Sequence, residues 1–575
     1  MKRSDYRRAR DRLSREIGTI RKDWGGRLPI ALCYPNTYRI GMCNLGFQAL
    51  YGLLNAHPDV VCERLFAEPP LVGGEAGRGD WTGDDSYRLS GGQVEVGPVP
   101  LSVESGRPLA DFAVLALTLS FELDYFNIGD LLRRAGLPPL AADRDERHPL
   151  VIAGGPAASG NPEPVAAFLD AVVIGEAEPI IDRLIEVIAA QDDRDTTLKN
   201  LARLEGVYVP SLYRVAYRPG GGVSEIEPLD GAAMPVARLW ARNVNEFDTT
   251  SVVLSPDIEL GDMFLVEMTR GCARGCRFCL AGYTSLPVRH RTVERVVRAA
   301  EHGLPHRKRI GLISAATTDH PSLDKLLGEL IDRGAQVSLS SLRIDRLTEA
   351  TVAALVRSQT RNITLAPEAG SQRMRDIINK RTGYEQILRA ARLAGEGGIP
   401  QVKLYFMLGL PGELESDVDE LIALCKDVLA ETQRRNRRAR MAISLSPHVP
   451  KAQTAFQWEA QESAGVVMSR IQRIRKALQP LGIAVRHESP ALSRVQAVLA
   501  RGDRRVAMAL LRTRDLRDWE GALGRTGLSP DHYVGALDPM ADILPWSVVS
   551  TGVPDWYLRR EFTKARDLVS LPVTV

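Results

Sequence analysis

Short apolar runs alternate with stretches whose apolar residues recur every three or four positions over the first 190 residues. "LPIALCYP" (28–35) predicts a strand and "NLGFQALYGLLN" (44–55) a helix. The pair recurs as "FAVLALTLS" (112–120) with "ELDYFNIGDLLRRAG", "HPLVIAGGP" (148–156) with "PEPVAAFL", and "DAVVIGEAE" (170–178) with "PIIDRLIEVIAA". Such alternation predicts an α/β, doubly wound parallel sheet over 1–190, covered on both faces and receiving ligands at the carboxyl ends of its strands. The basic start "MKRSDYRRARDRLSREIGTIRKDW" reads as a helix, and the Gly/Asp-rich insert at 72–98 as a surface excursion.

Pro and Gly clusters such as "YRPGGGVSEIEP" (217–228) among short β-like runs make 191–259 a connecting β-rich segment. A second alternation fills 260–480: "MFLVEMTRGC", "RKRIGLISAATTDHP", "AQVSLSSLRID", "NITLAPEAGS", "QVKLYFMLGLPGE" and "ARMAISLSPHVP", each followed by a helix-like stretch. Six units are too few for a closed eight-unit barrel, so a partial, TIM-like (β/α)6 barrel is expected, with its site at the strands' carboxyl ends. The remainder, 481–575, predicts a small, mainly helical C-terminal extension.

Length and composition narrow the class. A chain of 575 residues exceeds one hydrophobic core, which stops growing at roughly 250–300 residues. The 74 basic against 71 acidic residues leave a net charge of +3, so any nucleic-acid partner must use a local patch. No apolar stretch nears the ~20 residues of a membrane span, and the charged start is no secretory signal, so a cytoplasmic protein without membrane contact is expected. Seven cysteines, an odd number, suit metal or redox chemistry better than a disulfide framework.

Three of them crowd into "MTRGCARGCRFCLAG" (268–282) as C-x3-C-x2-C, directly after a strand. Structural zinc takes four ligands, and no second pair follows. A thioredoxin-like dithiol leaves Cys272 without a role. Three thiolates can instead hold three irons of a 4Fe-4S cubane and leave the fourth open.

With Phe278 in the aromatic slot before Cys279, the motif resembles that of the radical S-adenosylmethionine (SAM) enzymes. The resemblance implies that Cys272, Cys276 and Cys279 are the metal ligands and the catalytic centre. The open iron then chelates the amino and carboxyl groups of S-adenosyl-L-methionine, and an electron from the cluster cleaves the sulfonium to a 5′-deoxyadenosyl radical. That electron implies a reducing partner such as flavodoxin or ferredoxin. Ser340 and Arg343 fall where family members bind ribose and carboxylate, and Glu368 where a polar side chain faces the cofactor. Leu408 and Gly409 would pass main chain along the adenine. "SAATTDHP" (314–321) lacks the glycines that many members place there, and Lys403 reads equally as a structural lysine.

"VIAGGPAASGNPEP", "VVIGEAEP" and "LTLSFELDY" resemble strand-end loops of flavodoxin-like cobalamin (B12)-binding domains attached to radical enzymes. The implied contacts are Thr118, Ser120, Gly154, Gly155, Gly175 and Glu176; a chain merely turning tightly at its glycines is the competing reading. The D-x-H-x-x-G motif is absent, and His57 and His148 are the only histidines before residue 200, so cobalamin would bind base-off without a histidine ligand. Cys33, Cys43 and Cys62 tempt towards a second cluster, but their spacing is long and Cys33 lies in a strand. Cys425 reads as core.

The whole chain resembles uncharacterised bacterial radical SAM proteins with such an N-terminal domain. Three readings follow: a radical enzyme using cobalamin to methylate or otherwise modify an unactivated carbon, its substrate a small molecule or RNA; a methylthiotransferase-like enzyme modifying transfer or ribosomal RNA without cobalamin; and a non-enzymatic cofactor-binding sensor. "RRNRRAR" (434–440) could bind phosphate, although a solvated helix end is its commoner meaning.

Overall fold

The computed structural model describes residues 11–68, 98–190, 192–513 and 516–571. Most of the 72–98 insert lies outside them. The first sheet comprises β1 (Leu28–Tyr34), β2 (Val60–Phe66), β3 (Val114–Thr118), β4 (Leu150–Gly154), β5 (Ala171–Val173) and β6 (Val207–Tyr208), in spatial order β2-β1-β3-β4-β5-β6. The first five are parallel, in the order of a doubly wound sheet, and β6 closes the edge antiparallel to β5. Burial on both faces explains the unbroken apolar runs of β1 and β3.

Strand β2 escaped the apolar pattern because its centre is Glu63-Arg64. Arg64 is buried between Glu16 and Glu104, each 2.6 Å away, so an internal ion triad stands where the pattern calls for apolar side chains. The connector expected at 191–259 begins inside this sheet, with a helix at Arg194–Ala202 and then β6. A hairpin of β7 (Tyr213–Tyr217) and β8 (Val223–Pro228) follows, then β9 (Val236–Ala237). The expected N-terminal helix is helical only at 11–13 among the described residues. Beyond that the chain runs along the domain, where Lys22 donates to the carbonyls of His57 and Val60. "PEPVAAFL" is 3-10 rather than α, as Pro162 and Pro164 withhold amide donors.

The second half is an open arc. β10 (Met263–Arg270), β12 (Arg309–Ser314) and β13 (Gln336–Leu339) run parallel, with β11 (Arg289–His290) antiparallel on the outer edge of β10. β14 (Asn362–Glu368), β15 (Gln401–Leu408), β16 (Arg440–Pro447) and β17 (Ala484–His487) continue it, joined through the Leu342–Leu365 bridge. The six expected strands are all present, and β17 adds a seventh from the C-terminal segment. Helices on the convex side bury Leu404, Phe406, Leu421, Cys425 and Ile443 in one core.

The C-terminal segment is helical but not a separate appendage. Helices Pro490–Arg501, Val506–Arg512 and Trp519–Gly524 enter the core of the first sheet, where Trp519 meets Phe126 edge-on at 5.0 Å. β18 (Val549–Ser550) pairs with β9, and the final helix, Asp555–Ser570, packs over the cysteine loop. Among the described residues no helix is long and apolar enough to cross a membrane.

Candidate active site

β10 delivers the cysteine loop. Gly271 turns it with φ +92, and a Cβ there would lie 2.3 Å from the Ser285 carbonyl. All three thiols are free. Cys276 is buried, and burial pushes its thiol up to about 11 against the pull of Lys380. Burial also raises Cys279, opposed by the Gly282 and Ala281 amides, which donate to its sulfur. Lys380 bonds Glu368 at 3.1 Å; burial disfavours its charge, yet Glu368 and the Cys276 and Cys279 sulfurs hold it above the ordinary lysine range. The outer side of the loop is tied down too. Arg277 reaches the Asp376 and Ile377 carbonyls and Glu561 of the final helix, and Asn379 donates to Gly275 O.

Among the described residues no three His, Cys, Asp or Glu side chains converge on a single ion. A cubane meets each thiolate through a different iron, so its three ligands need not converge on one ion. Three free thiols on one loop, amide donors to sulfur and a neighbouring ammonium suit the anionic cluster.

The other strand-end residues split. Glu368, at φ +69 on the last residue of β14, stands with Lys380 beside the cysteines. Phe278 packs with Ile377, Leu410 and Phe456. Arg343 is clasped by Asp319 and Asp345, so a ligand carboxylate there must displace one of them. The Ser340 hydroxyl bridges to β12, donating to Ser314 O and accepting from Ser314 N. Leu408 O accepts from His448 N, and Gly409 N donates to Glu413, so the main chain beyond β15 is partly committed.

A cavity of about 750 Å³ opens at the carboxyl end of the first sheet and runs down between the sheet and two helices. Ile30, Ala116 and Ile152 form one wall; Gly46, Ala49 and Leu53 of the helix Leu45–Ala56, with Leu184 and Ile188, form the others. Thr118, Ser120, Gly154, Gly155, Gly175 and Glu176 all line it. So do Arg270, Thr284 and Ser285, on either side of the cysteine loop. At Gly155 and Gly175 a Cβ would strike the Leu119 and Leu239 carbonyls at 2.6 and 2.2 Å, so the chain's own backbone requires glycine there. At Gly154 a Cβ would meet only ordinary contacts.

Glu176 also bolts the two halves together. It lies 2.8 Å from Arg270 and 2.7 Å from Arg289, and accepts from Ala241 N. Burial opposes its charge, but the bonds from Arg289 and Arg270 hold it below the ordinary carboxylate range.

The model of the radical SAM superfamily matches residues 266–425, and that of the N-terminal region of radical SAM proteins matches 94–210. The uncharacterized protein MJ0966 of Methanocaldococcus jannaschii is 31% identical over 437 residues, 75% of this chain and 86% of that one. The chain belongs to the radical SAM superfamily. A tRNA-2-methylthio-N(6)-dimethylallyladenosine synthase of Bacillus cytotoxicus is 24% identical over 209 residues, 34% of this chain and 40% of that enzyme's length. Coproporphyrinogen III oxidase (HemN) from Escherichia coli overlaps 38% of this chain and 52% of its own at 14% identity, with a TM-score of 0.29.

In this radical SAM chain several residues around the site gave no sequence signal. Lys380 follows a short helix in an unremarkable polar stretch, and Asn44, which donates to Ser120 at the cavity mouth, reads as an N-cap. Ser159, accepting from Gly175 N, is hidden in an alanine-rich turn. Cys33 and Cys62 are fully buried within neighbouring strands, where burial raises both thiols.

Proposed function

We propose that the chain is a cobalamin-assisted radical enzyme that methylates or otherwise modifies an unactivated carbon. The apolar cavity between sheet and helices carries this reading. Protein interiors close-pack, and a void of this size is usual only where a ligand fills it. A corrin with an extended nucleotide tail suits a cavity with a polar mouth and an apolar shaft. No histidine lines it, so the ligand would be held without a cobalt–histidine bond.

When bound, the cluster supplies the electron that breaks the sulfonium S–C bond of SAM into methionine and a 5′-deoxyadenosyl radical, and cobalamin supplies a methyl group. The protein's own part is placement. Cys272, Cys276 and Cys279 would hold three irons, Lys380 would balance thiolate charge, and Glu368, beside the cysteines, would face the bound SAM. Thr118 and Ser120 offer hydroxyls at the cavity mouth, and the Glu176–Arg270 contact sets the cavity's distance from the cluster strand. RNA methylthiolation has less support, because the methylthio relatives align over only a third of the chain.

Cobalt content after anaerobic purification from cells supplied with cobalamin tests the reading. Wild type should retain stoichiometric cobalt, and Ala49→Trp, which fills the shaft, should lose most of it while keeping its iron. Cobalt-free wild type would contradict it.

A further inference from the structure

We propose that the concave face of β14–β16 is a substrate wall that receives an anionic group, carboxylate or phosphate, on Lys403 with the hydroxyls of Thr364, Tyr405 and Ser444. The inference rests on the reading that the chain is a radical enzyme whose substrate enters the barrel.

Strand alternation fixes the facing. Val402, Leu404, Phe406 and Leu408 of β15 lie in the core against the outer helices, so Lys403, Tyr405 and Met407 face the inside of the arc. By the same logic Thr364 of β14 and Ser444 of β16 face inward, since Ile363, Leu365, Ile443 and Leu445 are in that outer core. Register then assembles the wall. Thr364 pairs with Lys403, and Tyr405 with Ser444.

A closed barrel fills its interior with layers of branched apolar side chains. Here Tyr405, in the middle of an inner strand, is 44% exposed. Among the described residues the side chains of Thr364, Lys403, Tyr405 and Ser444 have no hydrogen-bond or ion-pair partner. The nearby acids are engaged: Glu488 accepts from the Ser446 hydroxyl, and Glu368 is bonded to Lys380. What remains without a partner among the described residues is the half-buried Lys403 ammonium among hydroxyl donors; Arg486 of β17, in register with Ser444, has an interaction of its own. Such a charge is costly when partly desolvated and unpaired, and an incoming anion offsets that cost.

The position also sets the substrate's shape. Lys403 is five residues below Leu408, or roughly 16 Å down the strand from the cluster end. A molecule touching both is elongated, with its anionic end deep in the arc and its reacting carbon near the cysteine loop.

Calorimetric titration of the full chain with inorganic phosphate, and separately with succinate, tests this. Wild type should bind at least one of them saturably. Lys403→Gln should weaken binding about tenfold or more, Lys403→Arg should retain it, and Lys426→Gln, on the outer helix, should leave it unchanged. The preferred anion identifies the group. Binding of neither anion by wild type, or equal binding by Lys403→Gln, overturns the proposal. Iron and cobalt are measured on the same samples, so a chain without cobalamin that still binds the anion through Lys403 refutes only the cobalamin reading.

Discussion

Cys276 is buried beside Lys380, and its loss should remove one of the three thiolates that would hold the cluster. Anaerobic reconstitution should give about four irons per wild-type chain and far fewer in Cys276→Ala; equal iron in the two would remove the cluster reading. Asp124, at the end of the β3 loop, supplies a pH signature. Burial pushes its carboxyl up to about 7, although Asn36 donates to it at 2.7 Å. An unfolded Asp loses its proton near pH 4, while the folded one keeps it until about 7, so the unfolded state binds fewer protons across that window. Stability should therefore fall as pH rises from about 4 to 7, by on the order of 4 kcal/mol, and Asp124→Asn should flatten that slope in urea unfolding. An unchanged slope would place the titration elsewhere.

At the scale of elements, the Glu176 contact makes the β5 turn and strand β10 one unit. Glu176→Ala removes the carboxylate that Arg270 and Arg289 share in a mostly buried setting; Arg270 keeps Glu178 and Glu267, so the loss should cost about 1–3 kcal/mol by denaturant midpoint. A loss below 1 kcal/mol would mean that water already screens the contact. The strands that periodicity revealed are those with uninterrupted apolar faces, such as β1, β3 and β15. Strand β2 stayed hidden because Glu63 and Arg64 occupy its centre, and an internal ion pair leaves no periodic trace. β17 stayed hidden because "AVRH" is too short and polar to stand out from a helical tail. The cysteine motif was legible because its chemistry depends on spacing along one loop. Lys380, more than a hundred positions away, reaches the same place only through the fold.

Across the whole molecule, the C-terminal segment closes both halves. It contributes β17 to the arc, buries Trp519 in the first core and lays its last helix over the cysteine loop, where Glu561 holds Arg277. Truncation after Gly552 should leave folding of the first sheet intact but shorten cluster lifetime in air several-fold, followed as loss of the visible iron–sulfur absorbance; an unchanged lifetime would mean the helix does not shield the cluster. The cavity between the first sheet and its helices opens towards the strand that carries the cysteine loop. Titrating the purified chain with hydroxocobalamin while recording the visible spectrum tests most directly whether it holds cobalamin. Wild type should give a saturable shift to a base-off spectrum, with the cobalamin eluting with the protein on gel filtration, and Ala49→Trp should give neither. A spectrum unchanged from free cobalamin, with no co-elution, would contradict it.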